Sequence, residues 1–111
     1  MTRPSPVEDL GVLYEELEAL LEAPAGDGAP SRAELEDALT GGYARALALE
    51  AERLRLERRI GQAAAGFREG AAPPARELAD LAQRLSHADG ELDKLRLLLS
   101  SLRTRVRDAH H

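Results

Sequence analysis

Histidine is the first residue type to test for chemistry, because it serves as a metal ligand and as a proton carrier. His87 is the only histidine in the interior of the sequence, and no Glu-x-x-His or His-x-x-x-His pair includes it. A metal site would therefore lack ligands. We expect His87 to face water, and we assign no function to His110 and His111 at the end of the chain.

The candidate nucleophiles are five serines, because the sequence contains no cysteine. A catalytic serine needs a neighbouring base with an orienting partner, and no such set is present. Ser5 and Ser31 are better explained as helix caps. The glycines at 26, 28, 41 and 42 match neither the phosphate-binding loop nor the dinucleotide fingerprint. We therefore expect no enzyme, no catalytic residue, no cofactor and no metal.

Four arginines near the C-terminus form a basic run that resembles a phosphate-binding surface. They are Arg96, Arg103, Arg105 and Arg107. Against nucleic-acid binding, the chain has a net charge of -5 and only 3% aromatic residues. We expect no nucleic-acid partner, and a nucleic-acid-associated protein is kept as an alternative.

The composition indicates long helices. Of 111 residues, 43% are hydrophobic and 32% charged, and Ala, Leu, Glu and Arg dominate, as in coiled coils. A chain of this length forms one domain with a modest core. No apolar run approaches the roughly 18 residues of a membrane span, and no signal peptide is recognisable. We expect a cytoplasmic protein without a membrane partner.

Charge is unevenly distributed along the chain. Residues 1–40 carry ten acids against two bases, a net charge of -8, whereas residues 41–111 carry ten acids against thirteen bases, a net charge of +3. The two parts should attract each other.

The spacing of apolar residues predicts three helices in one domain, residues 1–111. Helix 1 should span about 6–23, with Ser5 as N-cap and Pro24 ending it, followed by a linker over 24–30. Helix 2 should span about 32–67 from a capping box at Ser31 and Glu34. A loop at 68–73 and helix 3 at about 74–108 follow. The pair Gly41-Gly42 marks either a weak point or a close approach by another helix.

Helices 2 and 3 show unbroken 3-4 spacing, which predicts a long antiparallel coiled-coil hairpin. The residue numbers of facing apolar positions add to 144 or 145. The pairs are Leu39 with Val106, Tyr43 with Leu102, Ala46 with Leu99, Ile60 with Leu85, Phe67 with Leu78, Leu35 with Ala109, Leu49 with Leu95, Leu56 with Ala88, and Ala63 with Leu81. Arg53, opposite Leu92, is the one mismatch.

Helix 1 should pack at the base of this hairpin and make a three-helix base. The flank we expect it to cover carries a second apolar stripe: Ala44, Leu47, Leu54 and Leu98. The acids of helix 1 would then lie near the four C-terminal arginines. Glu77, Arg84 and Glu91 continue this flank toward the loop and suit water.

Two stretches carry a family resemblance. "LYEELEALLEA" (13–23) precedes "AGD" (25–27), and "LADLAQRLSHADGELDKL" (78–95) forms the return of the hairpin. The chain resembles the flagellar export chaperones of the type III secretion apparatus. This resemblance implies an all-helical protein that binds the terminal helices of its cargo through an apolar groove. The Pro-flanked linker departs from the family, and no functional residue carries over.

The sequence therefore predicts a non-enzymatic helical adaptor or chaperone that captures an amphipathic helix of another protein. Helix 1 is too short to cover the whole hairpin, so we expect the partner, or a second copy in a dimer, to engage the outer arm. The partner-binding residues expected there are Leu56, Ile60, Phe67, Leu78, Leu81 and Leu85. The alternatives are a small anti-sigma-type regulator, a nucleic-acid-associated protein and a structural homodimeric coiled coil.

Overall fold

The computed structural model describes residues 10–24, 26, 28–70 and 74–108. In these ranges the chain is all-α, with three helices, α1 (Leu10–Glu22), α2 (Arg32–Arg68) and α3 (Ala75–Asp108). α2 and α3 pack as a long hairpin, and α1 contacts mainly α3. The predicted fold class is confirmed. The molecule measures 66 × 29 × 19 Å and its radius of gyration is 18.6 Å, well above the roughly 13 Å of a compact chain of this length.

The ends of α2 follow local sequence signals. The hydroxyl of Ser31 accepts a hydrogen bond from the backbone amide of Glu34 at 3.1 Å, which confirms the predicted N-cap. The helix ends at Arg68, and two residues later Gly70 has a φ of 91°. That left-handed conformation suits glycine and ends the helix.

α3 begins immediately after Pro74, whose carbonyl accepts hydrogen bonds from the amides of Glu77 and Leu78. Proline has no amide hydrogen, so a helix start accommodates it without losing a hydrogen bond. The predicted cap at Ser5, the start of helix 1 at residues 6–9 and the seam residue Ala109 lie outside the described residues.

The seam between α2 and α3 follows the predicted spacing over most of its length. Its buried leucines and alanines are Leu35, Ala46, Leu49, Leu56, Leu81, Ala88, Leu92, Leu95, Leu99 and Leu102. Two predicted seam residues are wrong, because Tyr43 is 40% exposed and Phe67 is 65% exposed. Phe67 lies in the last turn of α2, at the end of the hairpin, and among the described residues the first turns of α3 lie opposite it.

Tyr43 is outside the seam because Gly42 takes the inward position. Gly42 is buried, and a Cβ atom built on it would overlap the Cδ2 methyl of Leu99. Nothing lies within 4 Å of the equivalent position on Gly41. Of the two interpretations of the glycine pair, close helix approach therefore applies to Gly42, and Gly41 has no such neighbour.

Arg53 interrupts the apolar seam as predicted. Its guanidinium lies 3.7 Å from the Asp89 carboxylate and 3.9 Å from that of Glu57. The Nε of Arg53 and the Oδ1 of Asp89 are buried without a hydrogen-bond partner. Leu92, the residue expected opposite Arg53, is buried. The arginine is thus held at the edge of the seam by acids from both helices.

α1 packs on the side of α3 that carries Leu98, as predicted, but leaves the α2 part of the predicted flank open. Leu47 and Leu54 should have been covered, but they are 66% and 52% exposed. Instead, the hydroxyl of Tyr14 donates to the Glu91 carboxylate at 2.6 Å and lies 2.9 Å from its backbone carbonyl oxygen. Glu91, predicted to face water, therefore contacts α1. Of the four predicted flank residues, Leu98 packs against the base core.

The C-terminal end of α1 explains this choice of flank. The guanidinium of Arg105 donates to the backbone carbonyls of Leu21 and Ala23 at 2.6 and 2.5 Å. These carbonyls have no partner within their own helix, and a cation there also opposes the helix dipole favourably. Lys94 adds a cation–π contact, 4.4 Å from the centre of the Tyr14 ring. Glu91, Lys94 and Arg105 all lie on the side of α3 that α1 covers.

The acids of α1 do not pair with the C-terminal arginines as predicted. Arg96 pairs with Glu50 of α2 at 2.5 Å, and Arg105 binds backbone carbonyls rather than carboxylates. Among the described residues, no ion pair joins an acid of α1 to an arginine of α3.

Two regions of the hairpin are distinguished below. The base consists of α1 with residues 32–50 and 91–108, and contains the main core cluster. The arm consists of residues 51–70 and 74–90, where α2 and α3 pack on each other alone. No polar or charged side chain is fully buried in either described region.

Candidate functional site

A groove runs along the base on the flank that α1 leaves open. It has a volume of about 490 Å³ and lies between α2 and α3. Its lining residues, which define the open groove, are Tyr43, Ala46, Leu47, Glu50, Arg96, Leu99, Ser100 and Arg103. The groove is therefore built by two helices that α1 holds together from the opposite side.

The α2 edge of the open groove is apolar. Tyr43, Leu47 and Leu54 recur at helical spacing and are 40%, 66% and 52% exposed. Leu54 extends the same stripe beyond the groove toward the arm. Large apolar side chains aligned on one face are unusual for an isolated surface and typical of an interaction site. From Tyr43 to Leu54 the stripe is about 17 Å long at 1.5 Å per residue.

The α3 edge of the open groove is basic. Arg96 lies half exposed in its pair with Glu50, which bridges the two edges. Arg103, two turns further along α3, is exposed and forms no ion pair or hydrogen bond within the described residues. Arg107 continues this edge one turn beyond the groove, and is also exposed. The groove thus presents one apolar wall and one positively charged wall.

The titratable side chains that line the groove are Tyr43, Glu50, Arg96 and Arg103. Outside the groove, burial of the Tyr14 phenol, its hydrogen bond to the Glu91 carboxylate and repulsion from that carboxylate raise the pKa of the phenol. The Tyr14 side chain lies between α1 and α3 and does not line the groove. Over residues 10–24, 26, 28–70 and 74–108, no cluster of three or more His, Cys, Asp or Glu residues could bind a metal ion. The apolar and basic walls of the groove suit binding of another molecule through apolar contacts and ion pairs.

The six predicted partner-binding residues lie along the arm, but with different exposure. Leu56 and Leu81 are 1% and 2% exposed, inside the seam. Ile60, Leu78 and Leu85 are half-buried at its edges, and Phe67 is 65% exposed. A partner reaching the arm would therefore meet Phe67 first and Leu56 or Leu81 only if the helices separated. The assignment of a partner to the arm stays a prediction.

The sequence identifies part of the open groove but predicts that helix 1 covers it. Leu47 and Leu54 form the predicted apolar stripe, and in the structure both are exposed. Tyr43, predicted in the seam, and Arg103, predicted to lie near the acids of helix 1, line the groove instead. The signal that identifies Tyr43 as a surface residue is its spacing of four from Leu47, which competes with its seam spacing.

Comparisons with protein-family models, with curated proteins and with solved structures find no match to this chain. The resemblance to flagellar export chaperones therefore rests on the sequence features given above. Among the described residues, none of the three helices is both long enough and apolar enough to span a lipid bilayer.

Proposed function

We propose that this protein is a non-enzymatic helical interaction module, and that its open groove binds an amphipathic helix of a partner protein. The observation that carries the proposal is the aligned exposure of Tyr43, Leu47 and Leu54 beside a groove of about 490 Å³. An amphipathic helix laid into an apolar groove is a recurrent mode of peptide recognition. Its apolar anchors would recur every three to four residues.

The opposite flank of the same hairpin supplies a precedent for this mode. There α1, a 13-residue helix, buries Leu10, Tyr14 and Leu17 against α2 and α3. Because α2 and α3 form a shallow valley on each side of their seam, a helix on the second flank would complete a four-helix base. The apolar stripe of about 17 Å matches roughly three turns of such a helix.

The resemblance to flagellar export chaperones supports the same class of function, because those proteins bind helices of their cargo. An anti-sigma-type regulator would use the groove in the same way, by covering a helix of its target. The homodimeric alternative would place a second copy on the same stripe, and the arm around Phe67 offers a further apolar contact for either partner.

Peptide binding tests the proposal directly. A labelled amphipathic peptide of about 18 residues, long enough to populate a helix, is titrated with the protein while fluorescence anisotropy is recorded. We expect saturable binding that Leu47→Ser with Leu54→Ser weakens at least about tenfold, since each buried leucine contributes about 1.5–3 kcal/mol. Leu97→Ser is the matched control, because Leu97 is 72% exposed and lies outside the groove.

The outcomes separate the alternatives. Equal weakening by Leu97→Ser and by the groove variants would mean non-specific contact and would contradict the proposal. Concentration-dependent dimerisation that Leu47→Ser abolishes, measured by light scattering, would assign the stripe to a second copy. Submicromolar binding to random duplex DNA at about 0.15 M salt would favour the nucleic-acid alternative.

A further inference from the structure

We infer that the partner helix of the open groove carries carboxylates along one edge, and that Arg103 selects for them. This inference rests on the proposed function, and it specifies the chemistry of the partner. The α2 wall of the groove is apolar and the α3 wall is basic. A bound amphipathic helix would therefore place its apolar face on α2 and one polar edge beside α3. That edge lies beside Arg96, Arg103 and Arg107, which are all exposed.

Of the two cations that line the groove, Arg103 is the one with capacity left for a partner. The charge of Arg96 is already matched by Glu50 at 2.5 Å, whereas Arg103 has neither an ion pair nor a hydrogen bond in the described part of the chain. It lines the same groove as Tyr43. Tyrosine and arginine are the residue types that most often dominate binding energy at interfaces. A guanidinium also matches a carboxylate in a two-pronged geometry that lysine cannot reproduce.

Charge also argues against a second copy of this chain as the occupant. A copy that presented the same face would bring a second set of exposed arginines toward the first. The one acid lining the groove, Glu50, is already paired with Arg96. Like charges brought together at an interface disfavour association. A stable dimer buries roughly 800 Å² of surface per partner. A single stripe about 17 Å long offers less apolar surface than that.

The same hairpin already binds an acid-rich helix on its other flank. α1 carries Glu15, Glu16, Glu18 and Glu22, all exposed, around an apolar face that packs on the hairpin. At the C-terminal end of α1, Arg105 of α3 donates a hydrogen bond to a backbone carbonyl. An acidic amphipathic helix is therefore a class of ligand that this scaffold accommodates, and the open groove offers an apolar wall and cations for another.

Three synthetic peptides of about 18 residues test the inference. They share one leucine face and differ only in the flanking edges, which carry Glu, Gln or Lys. Binding to the full chain is measured by fluorescence anisotropy. We expect the Glu peptide to bind about threefold to tenfold more tightly than the Gln peptide at low salt, and the Lys peptide to bind most weakly. High salt should reduce these differences because it screens exposed charges.

Arg103→Gln should remove the preference for the Glu peptide, so that the Glu and Gln peptides bind this variant with equal affinity. Arg76→Gln, which removes the same charge from an exposed position in the arm, should leave the preference intact. Arg105→Gln is a second control, because loss of preference there instead would show that the peptide replaces α1.

The outcomes distinguish the inference from the proposed function. Equal affinities for the three peptides, a preference that survives Arg103→Gln, or a preference lost only in Arg105→Gln would overturn the inference. Groove-dependent binding of the Gln peptide would in those cases leave the proposed function standing. No binding of any peptide would overturn both. Loss of Glu-peptide preference in Arg103→Gln alone supports both.

Discussion

The base and the arm are built from the same two helices, yet they bury different amounts of apolar surface. In the base, α1 closes a cluster of ten buried residues that includes Leu17, Leu49 and Leu95, each 0% exposed. In the described part of the arm, the buried hydrophobic residues are Leu56, Leu81 and Ala88. The difference comes from the third helix, because two helices can shield only the single stripe where they meet.

This contrast predicts that stability differs between the two regions. We expect the small core of the arm to open locally at low cost, and the base to unfold only when its whole cluster is lost. Within the base, the flank covered by α1 is stable and the flank with Tyr43 and Leu47 is open. Because α1 covers one flank, α2 and α3 are held in place and the open flank is already ordered. Binding there would cost less conformational entropy than binding to a mobile surface.

Removal of residues 1–24 should erase the difference between the base and the arm. The burial of Leu10, Tyr14 and Leu17 would be lost, and we expect the free energy of unfolding to fall by about 5 kcal/mol. Leu98 and Leu102 would become exposed, and the truncated chain should self-associate. Chemical denaturation and light scattering measure the two effects. A truncated chain that stays as stable and monodisperse as the full chain would contradict this role of α1.

Leucine truncation in each region compares them directly. Leu95→Ala in the base should cost about 3–5 kcal/mol, because the cavity is enclosed by three helices. Leu81→Ala in the arm should cost about 2 kcal/mol or less, since the arm can relax around it. Hydrogen exchange should show global loss of protection for the first variant and loss confined to the arm for the second. Equal costs and equal exchange patterns would mean that the arm and base unfold as one unit.

Arg105→Gln should loosen α1 without emptying the core. The loss of charged hydrogen bonds to the carbonyls of Leu21 and Ala23 should cost about 1–2 kcal/mol. Arg107→Gln serves as the control, because Arg107 is exposed and has no hydrogen bond within the described residues. Thermal denaturation compares the two. A decrease of the same size in both variants would show that net charge, and not the contact with α1, is responsible.

The glycine pair tests how closely the helices of the base approach. Gly41→Ala should stabilise the protein by about 0.5–1 kcal/mol, because alanine favours the helix and the position is open. Gly42→Ala gains the same preference but must displace the Leu99 side chain, so we expect a net loss of about 1 kcal/mol. Denaturant titration gives both values. Stabilisation by both substitutions would show that Leu99 moves aside easily.

Tyr14 predicts how the base responds to high pH. Burial and Glu91 raise the pKa of its phenol above its ordinary value, so the folded state keeps a proton that the unfolded state releases at about pH 10. The stability from this group is therefore complete below about pH 10 and decreases as the pH rises further. Tyr14→Phe should show a shallower decrease in denaturation experiments between about pH 9 and 11.

The absorbance of tyrosinate provides an independent check. The sequence contains two tyrosines, so in the Tyr43→Phe variant the tyrosinate absorbance comes from Tyr14 alone. In that variant we expect tyrosinate to form together with unfolding. Ionisation of Tyr14 near its ordinary pKa of about 10 in a protein that remains folded would contradict the contact with Glu91.

Much of the fold follows from the sequence alone, because helix periodicity and capping are local properties. The 3-4 spacing predicted two long helices and their antiparallel seam, and Ser31 with Glu34 marked the start of α2. The observed limits, Arg32–Arg68 and Ala75–Asp108, differ by at most one residue from those predicted. Each of these features depends on residues within a few positions of one another along the chain.

The tertiary structure alone decided which flank α1 covers, and therefore which surface is open. Both flanks of the seam carry apolar residues, so hydropathy could not separate Leu98 from Leu47. The choice depends on contacts between residues more than seventy positions apart, such as Tyr14 with Glu91 and Arg105 with the end of α1. Likewise, Gly42 displaced Tyr43 from the seam because Leu99 needs the space of the absent side chain. Such steric and polar matches exist only once the helices meet.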